Sequence, residues 1–154
     1  MVNNLTDHTK LPKEPKKLLA IPLREDKNEL AIWRLAGDGW KAELQAKVKA
    51  LTDDKYTGLN TPKSEQVQDL FKKTLGLNDV TASWKWQKMN AVTARTKLDG
   101  FITLRGSIAH RGAAATGVKK KDVTDFLAHV ELLVEKTDAA LGQHLLNVAG
   151  VNPF

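Results

Sequence analysis

One apolar series near the end of this chain constrains its fold more than any other feature. From Asp122 to about Val148, the residues Val123, Phe126, Leu127, Val130, Leu133, Val134, Thr137, Ala140, Leu141, His144, Leu145 and Val148 recur every three or four positions. Such steps return to one side of a 3.6-residue helix, so the series predicts one long helix with a single-sided apolar stripe. That stripe is expected to pack antiparallel along the preceding long helix, from about Lys88 to Ala109. The apolar positions there are Val92, Leu98, Phe101, Ile102, Leu104, Ile108 and Ala109. Gly100 and Gly106 lie inside this helix, each weakening it by about 1 kcal/mol relative to alanine, and are expected to mark a close helix contact or a bend.

Earlier segments read the same way. A first helical region is expected near Glu29, covering Leu30, Ile32, Trp33 and Leu35 before Gly37-Asp38-Gly39 punctuates the chain. Trp40, Leu44, Val48 and Leu51 then form a one-sided stripe, read as core. Asp53 to Asn60 is a loop. Thr61-Pro62 predicts a helix start, a hydroxyl cap before a proline at the first helical position, and that helix runs through Val67, Leu70, Phe71 and Leu75 to Gly76. Leu77 to Ser83 is a connector in which Asp79 or Ser83 caps a short turn. Gly112 to Gly117 is a loop. Strand-like alternation is absent, so the fold class expected is all-α, an up-and-down bundle of four to five helices. Residues 1–26, interrupted by Pro12, Pro15 and Pro22, read as a polar arm with little regular structure before Leu18-Leu19-Ala20-Ile21. Residues 27–149 read as the bundle domain, and 150–154 as a tail.

At 154 residues, 42% of them apolar, the chain is long enough for one domain with a real core. Cysteine is absent, which excludes disulfides and a thiolate zinc site. No run approaches the roughly 18 apolar residues of a membrane helix, and the first residues lack a signal-peptide pattern. A cytoplasmic protein without membrane contact is expected. The formal charge is +6, unevenly spread. Lys85, Lys88, Arg95, Lys97 and Arg105 face a single acid, Asp99, and Arg111, Lys119, Lys120 and Lys121 follow before acids return at Asp122, Asp125, Glu131, Glu135 and Asp138. A basic centre with an acidic flank points to a polyanionic partner, although a merely solvated basic surface has the same composition. There is no internal repeat, phosphate-binding glycine loop, paired-histidine metal motif or calcium loop. No cofactor and no metal are expected.

The chemistry-bearing stretch is Leu104-Arg105-Gly106-Ser107-Ile108-Ala109-His110-Arg111-Gly112. Metal-free RNA cleavage needs a group that exchanges protons with the 2′-hydroxyl or the 5′-leaving oxygen, and a fixed cation beside the phosphoryl oxygens. Histidine, with an ordinary pKa near 6.5, suits the first task. Arginine, a permanently charged planar fork, suits the second. The products would be a 2′,3′-cyclic phosphate and a 5′-hydroxyl. Five residues turn an ideal helix through about 500°, leaving the two side chains roughly 140° apart. Either the helix loosens near Gly106 and His110, or a second copy completes the site across a two-fold axis. The structural alternative is that His110 and Arg111 merely complement the negative helix end, worth about 0.3–1 kcal/mol.

With Arg105, four intervening residues and His110 closing a core helix, the region resembles the HEPN family of helical nucleotide-binding and ribonuclease domains. Ile108-Ala109-His110 with Gly112 is similar to the Arg-Asn-x-Ile-Ala-His-Gly form of its RiboL-PSP-HEPN or MAE-like subgroup. So are Thr61-Pro62…Val67…Leu70-Phe71-Lys72-Lys73…Leu75-Gly76-Leu77 upstream and Lys121-Asp122-Val123 opening the last helix. The likeness spans about residues 28–148. It implies metal-independent RNA cleavage by a homodimer with a shared basic cleft, His110 in the acid–base role and Arg105 on the scissile phosphate. It also implies a toxin or antiviral setting, with an antitoxin or defence-system partner protein. One departure stands out: Gly106 occupies a position that is usually polar in active members, and Ser107 is the candidate hydrogen-bond donor in its stead.

Trp84-Lys85-Trp86-Gln87-Lys88 interleaves rings and cations, and single-stranded bases stack on such rings for about 1–3 kcal/mol each. Trp84, Trp86 and Lys88 therefore join Arg111, Lys119, Lys120 and Lys121 as candidate RNA contacts. The competing reading puts one tryptophan in the core and leaves the other half-buried. His129 and His144 read as packed or surface histidines rather than ligands, and His8 carries no signal. Two other functions stay open: a non-catalytic helical module binding RNA or a protein, and a dimerising accessory subunit of a defence system.

Overall fold

The computed structural model describes residues 7–53, 62–111 and 119–150, with only the backbone of His110 and Arg111. Among these, five α-helices and no strand are found: α1 (Lys13–Glu25), α2 (Gly39–Asp53), α3 (Ser64–Leu75), α4 (Ala91–Arg111) and α5 (Lys120–Ala149). Short 3₁₀ turns occupy His8–Lys10, Ala31–Leu35 and Val80–Ser83. The all-helical bundle read from the sequence is the fold. The loops expected around 53–60 and 112–117 fall almost wholly outside the described residues.

Helix α1 corrects the reading of a largely unstructured arm. Proline is tolerated in a first helical turn, where backbone N–H groups have no intrahelical partner anyway, so Pro12 and Pro15 open the helix rather than prevent it. Pro15 and Leu19 are buried, and Leu11, Leu18 and Leu19 pack with Trp40 and Leu44 of α2 and Val148 of α5. The stripe runs through Leu11, Pro15, Leu18 and Leu19, and the interleaved lysines hide it. Its start is held against Gly76, the αL residue (φ 72°) that ends α3, where a Cβ would collide with the ring of Pro12.

The helix expected near Glu29 is also corrected. Only the 3₁₀ turn Ala31–Leu35 forms, and Leu30, Ile32 and Trp33 point outward, Trp33 being 71% exposed. Asn28 and Asp26 supply the reason. Their carboxamide and carboxylate accept from the backbone N–H of Leu30 (3.0 Å) and Asn28 (2.9 Å), favouring turns over a helix. An Arg34–Asp26 ion pair fastens the same corner.

A second core gathers Trp84, Ala94, Leu98, Ile102 and Leu133, with Val67, Trp86, Met89 and Phe126 against it. Helix α3 begins at Ser64, later than the start expected at Thr61-Pro62. Thr61 is outside the described residues. The cap comes from another helix: the Asp99 carboxylate on α4 accepts from Ser64 N (2.7 Å) and Ser64 Oγ (2.9 Å). The lone acid of the basic run is therefore a helix clamp, satisfying a backbone N–H that α3 cannot satisfy itself and the hydroxyl of the same residue. Asp79 caps Val80–Ser83 through Ala82 N (2.9 Å), as expected.

Helix α4 begins at Ala91 rather than Lys88. Asn90 accepts from Thr93 N (2.8 Å) as its cap, while Trp86 and Met89 exchange backbone hydrogen bonds across a tight turn with Lys88 at φ 64°. Ala94 meets His129, Phe101 meets Phe126, and Ile108 and Val123 line one groove. Residue numbers thus rise along α4 as they fall along α5, so the two are antiparallel. The stripe read on α5 is wider than its covered face. His129, Leu133 and Leu145 are buried, whereas Val123, Leu127 and Val134 are more than half exposed. Gly100 and Gly106 mark no contact: a Cβ on either meets nothing within 4 Å, and α4 runs unbroken through both.

Candidate functional site

The last turns of α4 and the first turns of α5 enclose a groove of about 330 Å³. Helix α4 contributes Phe101, Leu104, Arg105, Ile108 and Ala109, and α5 contributes Asp122, Val123 and Phe126. These positions share a face because the α4 residues recur three and four apart and Asp122 and Val123 sit one turn before Phe126. The Phe101 and Phe126 rings are tilted against each other at 5.0 Å between centroids, and Lys97 Nζ lies 5.6 Å from the Phe101 centroid. The opening of α5 is fixed by a reciprocal pair. Lys119 N donates to the Asp122 carboxylate (2.9 Å), and Asp122 N donates to the Lys119 carbonyl (2.9 Å). Exposed Arg105 and the exposed lysines Lys119, Lys120 and Lys121 thus stand at one end of the α4–α5 pair.

The Ser107 hydroxyl donates to the Leu104 carbonyl of its own helix at 2.7 Å. Arg105 and His110 lie on one unbroken helix, so the loosening near Gly106 that would swing them together within one chain does not occur. The side chains of His110 and Arg111 lie outside the described residues.

The tryptophan cluster belongs to the other end of α4. From Ala91 to Arg105 the helix rises about 21 Å. Trp84 is 2% exposed, and its indole N–H donates to Thr137 Oγ1 at 2.9 Å. A ring closed in the core cannot stack on a base, so Trp84 is removed from the candidate RNA contacts. Trp86 is half-buried against the His129 ring (5.5 Å between centroids), and Lys88 is exposed in the turn beside it.

His129, set aside as packed or surface, is packed at the α4–α5 contact. Its Nε2 lies 3.1 Å from the Ala94 carbonyl, Phe101 and Trp86 flank the ring, and Nδ1 has no hydrogen-bond partner. Burial pushes its pKa below the ordinary value. The hydrogen bond to Ala94 opposes that shift, and the charge of Lys97 adds to it. His144 makes an Nε2 contact to the Leu75 carbonyl at 2.8 Å and ties α5 to the end of α3. Among the described residues no group of three or more His, Cys, Asp or Glu is placed to hold a metal ion, and no helix is long and apolar enough to cross a membrane.

Fold and site together define an all-helical domain with an apolar groove, carrying Arg105 and Asp122 in its lining, where its two longest helices meet. A family model described as RiboL-PSP-HEPN matches residues 12–143. The chain belongs to that family, and so to the HEPN-type nucleases and RNA-related modules as a class. The match starts at Pro12, so it takes in helix α1. No curated protein and no solved structure matches the chain.

Proposed function

We propose that this protein is a metal-independent endoribonuclease acting as a homodimer. Its substrate 2′-oxygen attacks the adjacent phosphorus and the 5′-oxygen leaves, giving a 2′,3′-cyclic phosphate and a 5′-hydroxyl. The 2′-hydroxyl loses a proton and the 5′-oxygen gains one; His110 exchanges one of these protons and water the other, while the Arg105 guanidinium holds the phosphoryl oxygens as their charge grows. The observation that carries the reading is Arg105 lining the groove between the last turns of α4 and the first turns of α5, in a chain of this family. The unbroken course of α4 supports the dimer: with the two residues turned roughly 140° apart on a straight helix, a second copy supplies the missing half of the site. The setting proposed is a toxin or antiviral defence system in the cytoplasm, with a protein partner that restrains the activity.

A second reading has its own support. Gly106 offers no polar group after the arginine, and the Ser107 hydroxyl is occupied within the helix. Both fit a module that binds RNA without cutting it. Incubating purified protein with a defined RNA in EDTA separates the two. Cleavage lost in Arg105→Ala and in His110→Ala, with folding retained, supports the nuclease. Salt-dependent binding without any product supports the module.

A further inference from the structure

We propose that an acidic, uncovered face of α5 docks in a lysine-framed groove between α1, α2 and α3 of a second copy of this chain. The contact uses neither Arg105 nor His110, so it is separate from the pairing proposed above. The groove has a volume of about 440 Å³, with Leu18, Ile21 and Leu51 in its floor. Its charges are three lysines, Lys17, Lys47 and Lys73, against one acid, Glu14. Lys17 pairs with Glu14 (2.8 Å) and Lys73 with Asp69 (2.7 Å), both at exposed positions where such pairs hold weakly. Lys47 makes no ion pair among the described residues. The complementary face is on α5. Leu127 is 59% and Val134 53% exposed, so their own copy leaves them largely uncovered. Glu131 lies four residues after Leu127 and three before Val134, and Asp138 lies four after Val134, so both acids flank this apolar strip. Both are exposed, and neither makes an ion pair among the described residues. The lengths agree: Leu127 to Val134 rises about 10 Å, and the α1 wall of the groove, from Glu14 to Pro22, about 12 Å.

Charge and shape select this occupant. Groove against groove sets lysines on lysines, and helix face against helix face sets acids on acids. Only helix in groove brings opposite charges together, so the contact is heterologous, joining unlike surfaces of two copies. A small molecule fits poorly, because such sites bury most of their ligand and no residue lining this groove is itself buried. A helix laid along it covers the floor and keeps its outer side in water. Nucleic acid brings negative charge but finds no aromatic ring in the lining on which a base could stack. One contact thus accounts for two surfaces that the single chain leaves open.

The test is light scattering of the full chain across a range of concentrations, at low and at high salt. The parent's mass should rise with concentration at low salt, and the rise should shrink at high salt as the charges are screened. An exposed ion pair is worth up to about 5-fold in affinity, and reversing one charge turns attraction into repulsion. Lys47→Glu or Glu131→Lys alone should therefore weaken the association by about 5- to 30-fold. Leu127→Asn removes the apolar anchor without a change of charge and should weaken it too. Lys85→Glu makes the same charge change as Lys47→Glu at an exposed lysine outside both surfaces, and should have no effect. Lys47→Glu and Glu131→Lys combined in one chain should associate again, as should the two single variants when mixed. A parent whose mass does not change with concentration at low salt overturns the proposal, including a fixed dimer that none of the variants disturbs. Failure of the combined variant to recover while circular dichroism shows it folded, equal weakening by Lys85→Glu, or no weakening by Leu127→Asn also overturns it. Association that follows these charges in a protein that cuts no RNA would leave this contact standing and remove the nuclease.

Discussion

Acidification should loosen the contact between α4 and α5 through His129. Its ring is 2% exposed, its Nε2–H donates to the Ala94 carbonyl, and Nδ1 has no acceptor to receive a second proton's hydrogen bond. The folded-state pKa is lowered by burial, so the unfolded chain takes up a proton below its ordinary value of about 6.5 that the folded chain refuses. Stability contributed by the neutral ring is therefore fully present above about pH 6.5 and declines as the pH falls through that value. The limiting slope is about 1.4 kcal/mol per pH unit, which bounds the loss at about 2 kcal/mol by pH 5. For a chain of this size the fall in Tm is therefore at most about 4–8 °C. His129→Gln is the control, because its amide can still donate to Ala94 and never titrates. Thermal melts from pH 7.5 to 5 should show the parent losing stability relative to this variant. Parallel curves for the two proteins would refute the reasoning.

Three further outcomes follow from particular positions. Gly76→Ala forces a side chain into the αL conformation and against Pro12, so denaturant melts should show a loss of at least about 1–2 kcal/mol. Gly106→Ala fills open space in a helix interior and should stabilise by about 0.5–1 kcal/mol, whereas Gly106→Asn, which restores the polar residue usual in the family, should raise the cleavage rate. Mixing inactive Arg105→Ala and His110→Ala proteins should restore up to about a quarter of the parent's activity if each site takes one residue from each subunit, since half the dimers are then mixed and carry one intact site. No restoration would place both residues in the same subunit.

The two long helices were legible because each carries a three-and-four apolar period over many turns, and period alone dictates a helix there. Local chemistry misled where distant residues decided. Thr61-Pro62 looks like a helix start, but the cap for α3 comes from Asp99, 35 residues after Ser64, and no local pattern announces it. Lys88 continues the basic run in sequence, yet the Asn90 cap starts α4 only after it. Helix α1 went unread because prolines signal breakage, whereas Pro12 and Pro15 stand at its first turn, where they cost no hydrogen bond, and the helix runs on through Pro22. At the site, the cations were legible from charge and spacing. The groove was not, because it exists only where Phe101 and Leu104 meet Val123 and Phe126 across the antiparallel pair.

The central claim is that Arg105 and His110 break a phosphodiester without a metal, and the most direct measurement is the chemistry of the ends produced. RNA treated with the parent protein in EDTA should yield fragments whose 3′ ends carry a 2′,3′-cyclic phosphate by mass and whose 5′ ends accept phosphate from a kinase without prior dephosphorylation. Intact RNA, or fragments with 5′-phosphates and free 3′-hydroxyls, would contradict it.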